Sequence, residues 1–133
     1  METSLPARIR GARTVAPIRF LPMEEFGIDR IEDGGQVILQ LHGDLDLYSA
    51  PALDDALVAA EGEKWPMIVL DLRSLEFIDS MALRLVMRTQ ARAEQDGRRM
   101  VLVRGPAFLD RVLTLSGLTQ HLDIVDEPPV QAA

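Results

Sequence analysis

Three groupings in this chain have residue types and spacings that could do chemistry. Asp79-Ser80 sets a hydroxyl directly after a carboxylate, where an apolar run gives way to a helical period. Asp44 and Asp46 put two acids two positions apart at the end of another apolar run. Arg84, Arg88 and Arg92 fall at i, i+4 and i+8, a stripe of positive charge on one helical face. Each has a plain reading and a sharper one. Serine is a favoured helix cap, yet a hydroxyl at a helix start is also where a phosphoryl group is best tolerated, because unpaired N–H groups and the helix dipole favour negative charge. Position alone does not separate the two. Acids at loop mouths are commonly solvated. Like charges four residues apart repel by a few tenths of a kcal/mol, so the arginine stripe does not stabilise its helix, and it fits either a solvated face or an acidic partner.

Other chemistries are excluded by composition. With no cysteine among 133 residues there are no disulfides, thiolate zinc sites, iron–sulfur clusters or cysteine nucleophiles. The two histidines, His42 and His121, are too few for a histidine-rich metal site, and His42 falls inside a predicted strand. No serine lies in Gly-x-Ser-x-Gly, and Gly34-Gly35 reads as a turn rather than a phosphate loop, so neither hydrolysis nor nucleotide binding by those routes is expected. No enzyme activity, cofactor or metal is expected. Arg8, Arg10, Arg13 and Arg19 against Glu2 give residues 1–22 a charge of +3, so the rest of a chain with net charge −7 carries −10. An acidic body of this kind repels phosphate backbones; nucleic acid is a poor partner and a basic protein surface a better one. Apolar runs are broken by charge well short of the roughly 20 residues that a membrane span needs, and no signal-like run follows the arginines. The expected location is the cytoplasm.

The elements that must position these residues follow from periodicity. Phe26, Ile28 and Ile31 precede Asp33-Gly34-Gly35, and Val37 to Leu41 follow it, which predicts a β-hairpin. Ser49-Ala50-Pro51 opens a helix with Ser49 as cap, Asp54 and Asp55 near its positive end, Leu53, Leu57 and Ala60 inward, and Gly62 as its stop. Met67 to Leu72 and Met100 to Val103 read as strands buried on both faces, which predicts helices on both sides of the sheet. A second helix from about Ser80 to Asp96 is closed by Gly97, with Ala82, Leu85, Val86 and Ala93 inward. A third starts at Gly105-Pro106, turns Phe108, Val112 and Leu115 to the core and stops at Gly117. Leu122 to Val125 forms a short last strand. Strands alternating with helices after a hairpin define an α/β domain: a mixed, mostly parallel sheet of four to five strands under three or more helices. Residues 1–22 read as a flexible basic tail, 23–127 as the domain and 128–133 as a second tail. In such sheets the functional edge lies where strands end and helices begin.

Three segments resemble a known family in the right order. Gly43 to Leu53 (GDLDLYSAPAL) is similar to the Gly-Glu-Leu/Ile-Asp start of the first helix in STAS domains of the anti-sigma factor antagonist family. Leu70 to Ser80 (LDLRSLEFIDS) resembles that family's strand and phosphorylation loop, and Leu115-Ser116-Gly117-Leu118 the close of its later helix. The resemblance runs from about Met23 to Glu127. It implies a STAS-type fold and a non-enzymatic switch that binds an anti-sigma factor serine kinase and frees a sigma factor. Ser80 matches the phosphoacceptor, and a serine phosphatase would reset it. It also implies partner contact through two loops, with Asp44, Asp46, Tyr48 and Ser49 on the first and Asp79, Ser80, Met81 and Arg84 on the second. One departure follows: Met81-Ala82-Leu83-Arg84 stands where the family usually continues with Ser or Thr, then Gly-Leu-Gly. Met81 and Ala82 are expected to obstruct close approach of a partner backbone. The alternative is a constitutive, unphosphorylated STAS scaffold or transport-accessory subunit.

Overall fold

The computed structural model describes residues 25–130; the basic segment 1–22 lies outside them. Strand β1 (Gly27–Asp33) turns through Gly34-Gly35 into β2 (Gln36–Leu45), pairing Ile28 with Leu41 and Ile31 with Ile38, so the hairpin forms as expected. The glycine pair makes the turn possible, because Gly34 sits at φ 62°. Helix α1 (Ala50–Gly62), strand β3 (Met67–Ile78), helix α2 (Ser80–Asp96), strand β4 (Arg99–Val103), helix α3 (Ala107–Leu115), a 3-10 turn (Leu118–His121) and strand β5 (Asp123–Val125) follow. The sheet order is β1-β2-β3-β4-β5, antiparallel only at β1–β2 and parallel thereafter.

For the described helices, that order corrects the expectation of cover on both faces. From β2 to β5 each strand is added on the same side of its predecessor. Right-handed crossovers that advance steadily in one direction leave every connecting helix on one face. Leu53 and Leu57 from α1, Leu85 and Val86 from α2, and Leu109 and Leu113 from α3 accordingly share one core with Leu39, Leu70 and Leu102 of the sheet. The alternate residues Ile38, Val69, Val101 and Val103 form a second buried cluster on the other face, and it contains no residue of a described helix. At the margin of that face the side-chain N–H of Gln36 donates to the carbonyl of Pro129 at 2.8 Å, which brings the chain after β5 back to the start of β2.

Several local expectations also change. Helix α1 has Ser49 as its cap residue without a side-chain cap bond, and no acid in its first turn; Asp54 and Asp55 come one turn later. It runs through Gly62 and stops at Glu63, and the left-handed residue after it is Lys64 (φ 69°). Gly97 does close α2 in the left-handed conformation at φ 70°. In α3 the inward residues are Leu109 and Leu113, whereas Phe108 and Leu115 are exposed and Val112 is half-buried. The cause lies in the turn before it. A Cβ on Gly105 would fall 2.8 Å from the carbonyl oxygen of Leu72 and 2.6 Å from Leu109 Cδ2, so this close approach clamps the helix with Leu109 against the sheet.

Candidate functional site

The parallel pairing of β2 with β3 brings the two loops together. Asp44 lies opposite Phe77 and Leu45 opposite Ile78, and the backbone N–H of Asp79 donates to the carbonyl of Leu45 at 3.2 Å. The loop after β2 and the start of α2 therefore leave the sheet side by side. Gly43 makes this ending possible: it sits at φ 85°, and a Cβ there would lie 2.2 Å from the carbonyl oxygen of Glu25. The β2–β3 register shifts at the same point, between Gly43 and Asp44.

The first loop is held by its own polar groups. The Asp46 carboxylate accepts from the backbone N–H groups of Tyr48 and Ser49, both at 3.0 Å. The Ser49 hydroxyl donates to the carbonyl of Asp44 and accepts from the N–H of Asp46, each at 2.8 Å. Ser49 thus bonds backward into the loop instead of forward into α1. Asp46 is a structural acceptor, and the turn it closes pushes Leu47 and Tyr48 outward.

At the second loop the roles of two neighbours differ from the expectation. Asp79, not Ser80, is the N-cap of α2: its extended backbone and its carboxylate, which accepts from Ala82 N–H at 3.0 Å, satisfy one of the helix's unpaired donors. Ser80 is the first helical residue, exposed, and its side chain makes no hydrogen bond among the described residues. Ala82 is fully buried, so its methyl group cannot obstruct a partner; only Met81 of that pair stands at the surface. The segment before the serine, Arg73–Ile78, is strand rather than loop.

Four large apolar side chains stand open on this edge: Tyr48 (69% exposed), Leu47 (54%), Phe77 (46%) and Met81 (45%). Leu47 and Phe77 were not among the predicted contact residues. Phe77 could have been found from β3 itself, where it faces out between the buried Leu75 and Ile78. Of the arginine stripe, Arg84 and Arg88 are exposed, while Arg92 pairs with Glu61 of α1 at 3.1 Å. His42 is half-buried in β2, with Nε2 3.5 Å from the Asp29 carboxylate, away from the serine edge.

The mixed sheet thus presents, at the carboxyl edge of its parallel strands, a helix capped by Asp79 and an exposed serine. The family model described as "Mlab, STAS domain" matches residues 28–126, and the chain belongs to the STAS-domain family. It is 29% identical over 87 residues to the anti-sigma-F factor antagonist RsfB of Mycobacterium tuberculosis, a match that covers 65% of this chain and 70% of that one. It is similar to the crystal structure of an anti-sigma factor antagonist from Mycobacterium paratuberculosis (TM-score 0.68, 26% identity, covering 77% of this chain and 86% of that one). It also shares the fold of Bacillus SpoIIAA in its phosphorylated form (TM-score 0.59, 21% identity, 77% and 92% covered). Among the described residues no helix is long and apolar enough to cross a membrane.

Proposed function

We propose that the chain is an anti-sigma factor antagonist, a cytoplasmic and non-enzymatic protein-binding switch. Its partner is an anti-sigma factor with serine kinase activity; binding frees a sigma factor, and phosphate on Ser80 breaks the complex until a serine phosphatase removes it. The observation that carries this reading is the division of labour at α2. Asp79 caps the helix, and the Ser80 hydroxyl is exposed at the helix start with no hydrogen bond among the described residues. The relatives named as anti-sigma factor antagonists support the partner class. The loop residues Asp44, Asp46, Tyr48 and Ser49, with Asp79, Met81 and Arg84 beside Ser80, form the contact surface.

Phosphate would add roughly −1.5 to −2 charges. In the free domain the helix dipole offsets part of that by about 0.3 to 1 kcal/mol, so the fold survives. Across an interface, unmatched charge costs about 2 to 5 kcal/mol, a roughly 30-fold to several-thousand-fold loss of affinity. Binding is lost while structure is kept. Mass spectrometry after incubation with ATP and each host anti-sigma kinase should show one phosphate, absent in Ser80→Ala. Calorimetric titration should then find Ser80→Ala tight and Ser80→Asp weak; equal affinities remove Ser80 from the mechanism.

The exposed Met81 beside Ser80 favours a second reading, a constitutive STAS module that is never phosphorylated. Met81→Ser separates the two, because it should speed phosphate transfer if Met81 is the obstacle. Phosphorylation of neither protein by any host kinase would establish the constitutive module.

A further inference from the structure

We infer that the outward strip of α2 running from Met81 through Arg84 to Arg88 docks an acidic segment of the protein partner, one that presents two carboxylates about one helical turn apart. This deepens the function proposed above and rests on it for the identity of the partner. The first observation is a contrast in pairing. Arg30, Arg73, Arg92, Arg98, Arg99 and Arg104 each hold a carboxylate within 4 Å. Arg84 and Arg88 are exposed and make no ion pair among the described residues, although the chain is strongly acidic.

A second observation is the geometry. Arg92, which extends the stripe in sequence, is drawn away to Glu61, so the fold reduces three cations to the two nearest Ser80. Met81, Arg84 and Arg88 lie at i, i+3 and i+7, on one face of α2, and the two guanidinium-bearing residues are separated by a rise of about 6 Å. Carboxylates at i and i+4 on a partner helix have the same spacing. Two planar guanidinium forks can each take a carboxylate by two parallel hydrogen bonds, which fixes register as well as sign. At its Ser80 end the strip begins with the exposed Met81, an apolar anchor beside a charged rail, and Phe77 at the end of β3 is exposed as well. The two cations repel each other on the free helix, a cost that an acidic partner converts to attraction.

The strip also connects to the switch. Ser80 and Arg84 are four apart with the negative group on the N-terminal side, the favoured orientation for a pair on a helix. A phosphate on Ser80 would take Arg84 as an internal counter-ion and withdraw it from the partner.

The test uses the full chain and a purified anti-sigma factor titrated with wild type, Arg84→Glu, Arg88→Glu and, as a control, Arg111→Glu, which changes another exposed arginine, on α3, that makes no ion pair among the described residues. Thermal melts establish that each variant is folded. The Arg84 and Arg88 variants should each bind about tenfold more weakly or worse and lose part of the wild type's salt dependence, while Arg111→Glu is unchanged. Lysine in place of the two facing carboxylates of the anti-sigma factor should restore binding to the double Arg84→Glu, Arg88→Glu variant. If the wild type binds and both single variants bind equally well, the strip is only a solvated face and the proposed function stands. If the wild type binds no anti-sigma factor, the proposed function fails, and the strip as its docking site fails with it.

Discussion

At the residue scale, Asp79 and Ser80 divide two tasks that a single serine could have performed alone. Serine and aspartate are both good caps, so the pattern Asp-Ser before a helix does not say which side chain turns back to the backbone. The structure decides through the bond from Ala82 N–H to the Asp79 carboxylate. Asp79→Ala should therefore cost about 1 kcal/mol and lower the melting temperature by a few degrees, whereas Ser80→Ala should leave it unchanged. Equal losses in the two melts would return the cap to Ser80. Gly43 illustrates a different limit. Its place in a motif was legible, but the reason for it was not, because the clash that forbids a side chain comes from Glu25, eighteen positions away. Gly43→Ala combines a left-handed φ with that clash and should destabilise the domain by more than about 2 kcal/mol in urea titration, a large effect for removing no contact at all.

At the scale of elements, the sequence marks strands and helix limits better than it marks helix faces. Residues 107–115 contain five large apolar side chains, at 108, 109, 112, 113 and 115, and two different inward stripes fit them equally. Packing at Gly105 selects Leu109 and Leu113. Leu109→Ala should cost about 2 to 5 kcal/mol, and Leu115→Ala less than about 0.5 kcal/mol, read from unfolding midpoints. The reverse ranking would restore the other stripe. The end of α1 is tied to the hairpin in a way that no local pattern announces: Arg30 of β1 bonds the Glu63 carboxylate, which also accepts from the indole N–H of Trp65 at 2.7 Å. Arg30 first, then Trp65, holds the Glu63 carboxyl below its ordinary pKa. A depressed carboxylate contributes stability above its unfolded pKa and loses it as pH falls through the folded value. Glu63 is solvated, so the effect on stability is small, but the chain's single tryptophan reports it. Fluorescence of Trp65 should titrate with a midpoint below that of a free glutamate, and Arg30→Ala should raise that midpoint. A midpoint unmoved by Arg30→Ala would mean that the pair does not persist in solution.

At the scale of the whole molecule, topology determines where function can sit. A sheet that grows in one direction under right-handed crossovers has its connecting helices on one face, and every strand-to-helix turn opens at the same edge. That is why Asp46 and Ser80, 34 positions apart, belong to adjacent loops although nothing local links them; before the fold was known, only the family resemblance could place them together. The near-continuous apolar runs of β3 and β4 did report burial on both sides of the sheet, and both sides are buried. They did not report what covers each side, because burial is a property of the strand residues and the choice of cover belongs to the connections. Val69 and Leu102 separate these two statements. Val69 points away from the described helices and Leu102 toward them, and both are essentially inaccessible to water. If the second face were merely a solvated surface, Val69→Asp would shift stability by no more than about 0.5 kcal/mol, as surface changes do. With Val69 enclosed among Ile38, Val101 and Val103, the new carboxylate has no counter-ion within that apolar cluster and must be desolvated or protonated, at a cost of several kcal/mol. Domain stabilities are about 5 to 15 kcal/mol, so Val69→Asp should abolish or severely weaken cooperative unfolding, as should Leu102→Asp on the other side. Urea denaturation followed by circular dichroism measures both, and a Val69→Asp protein with the wild-type midpoint would show that the face opposite the described helices is open to solvent.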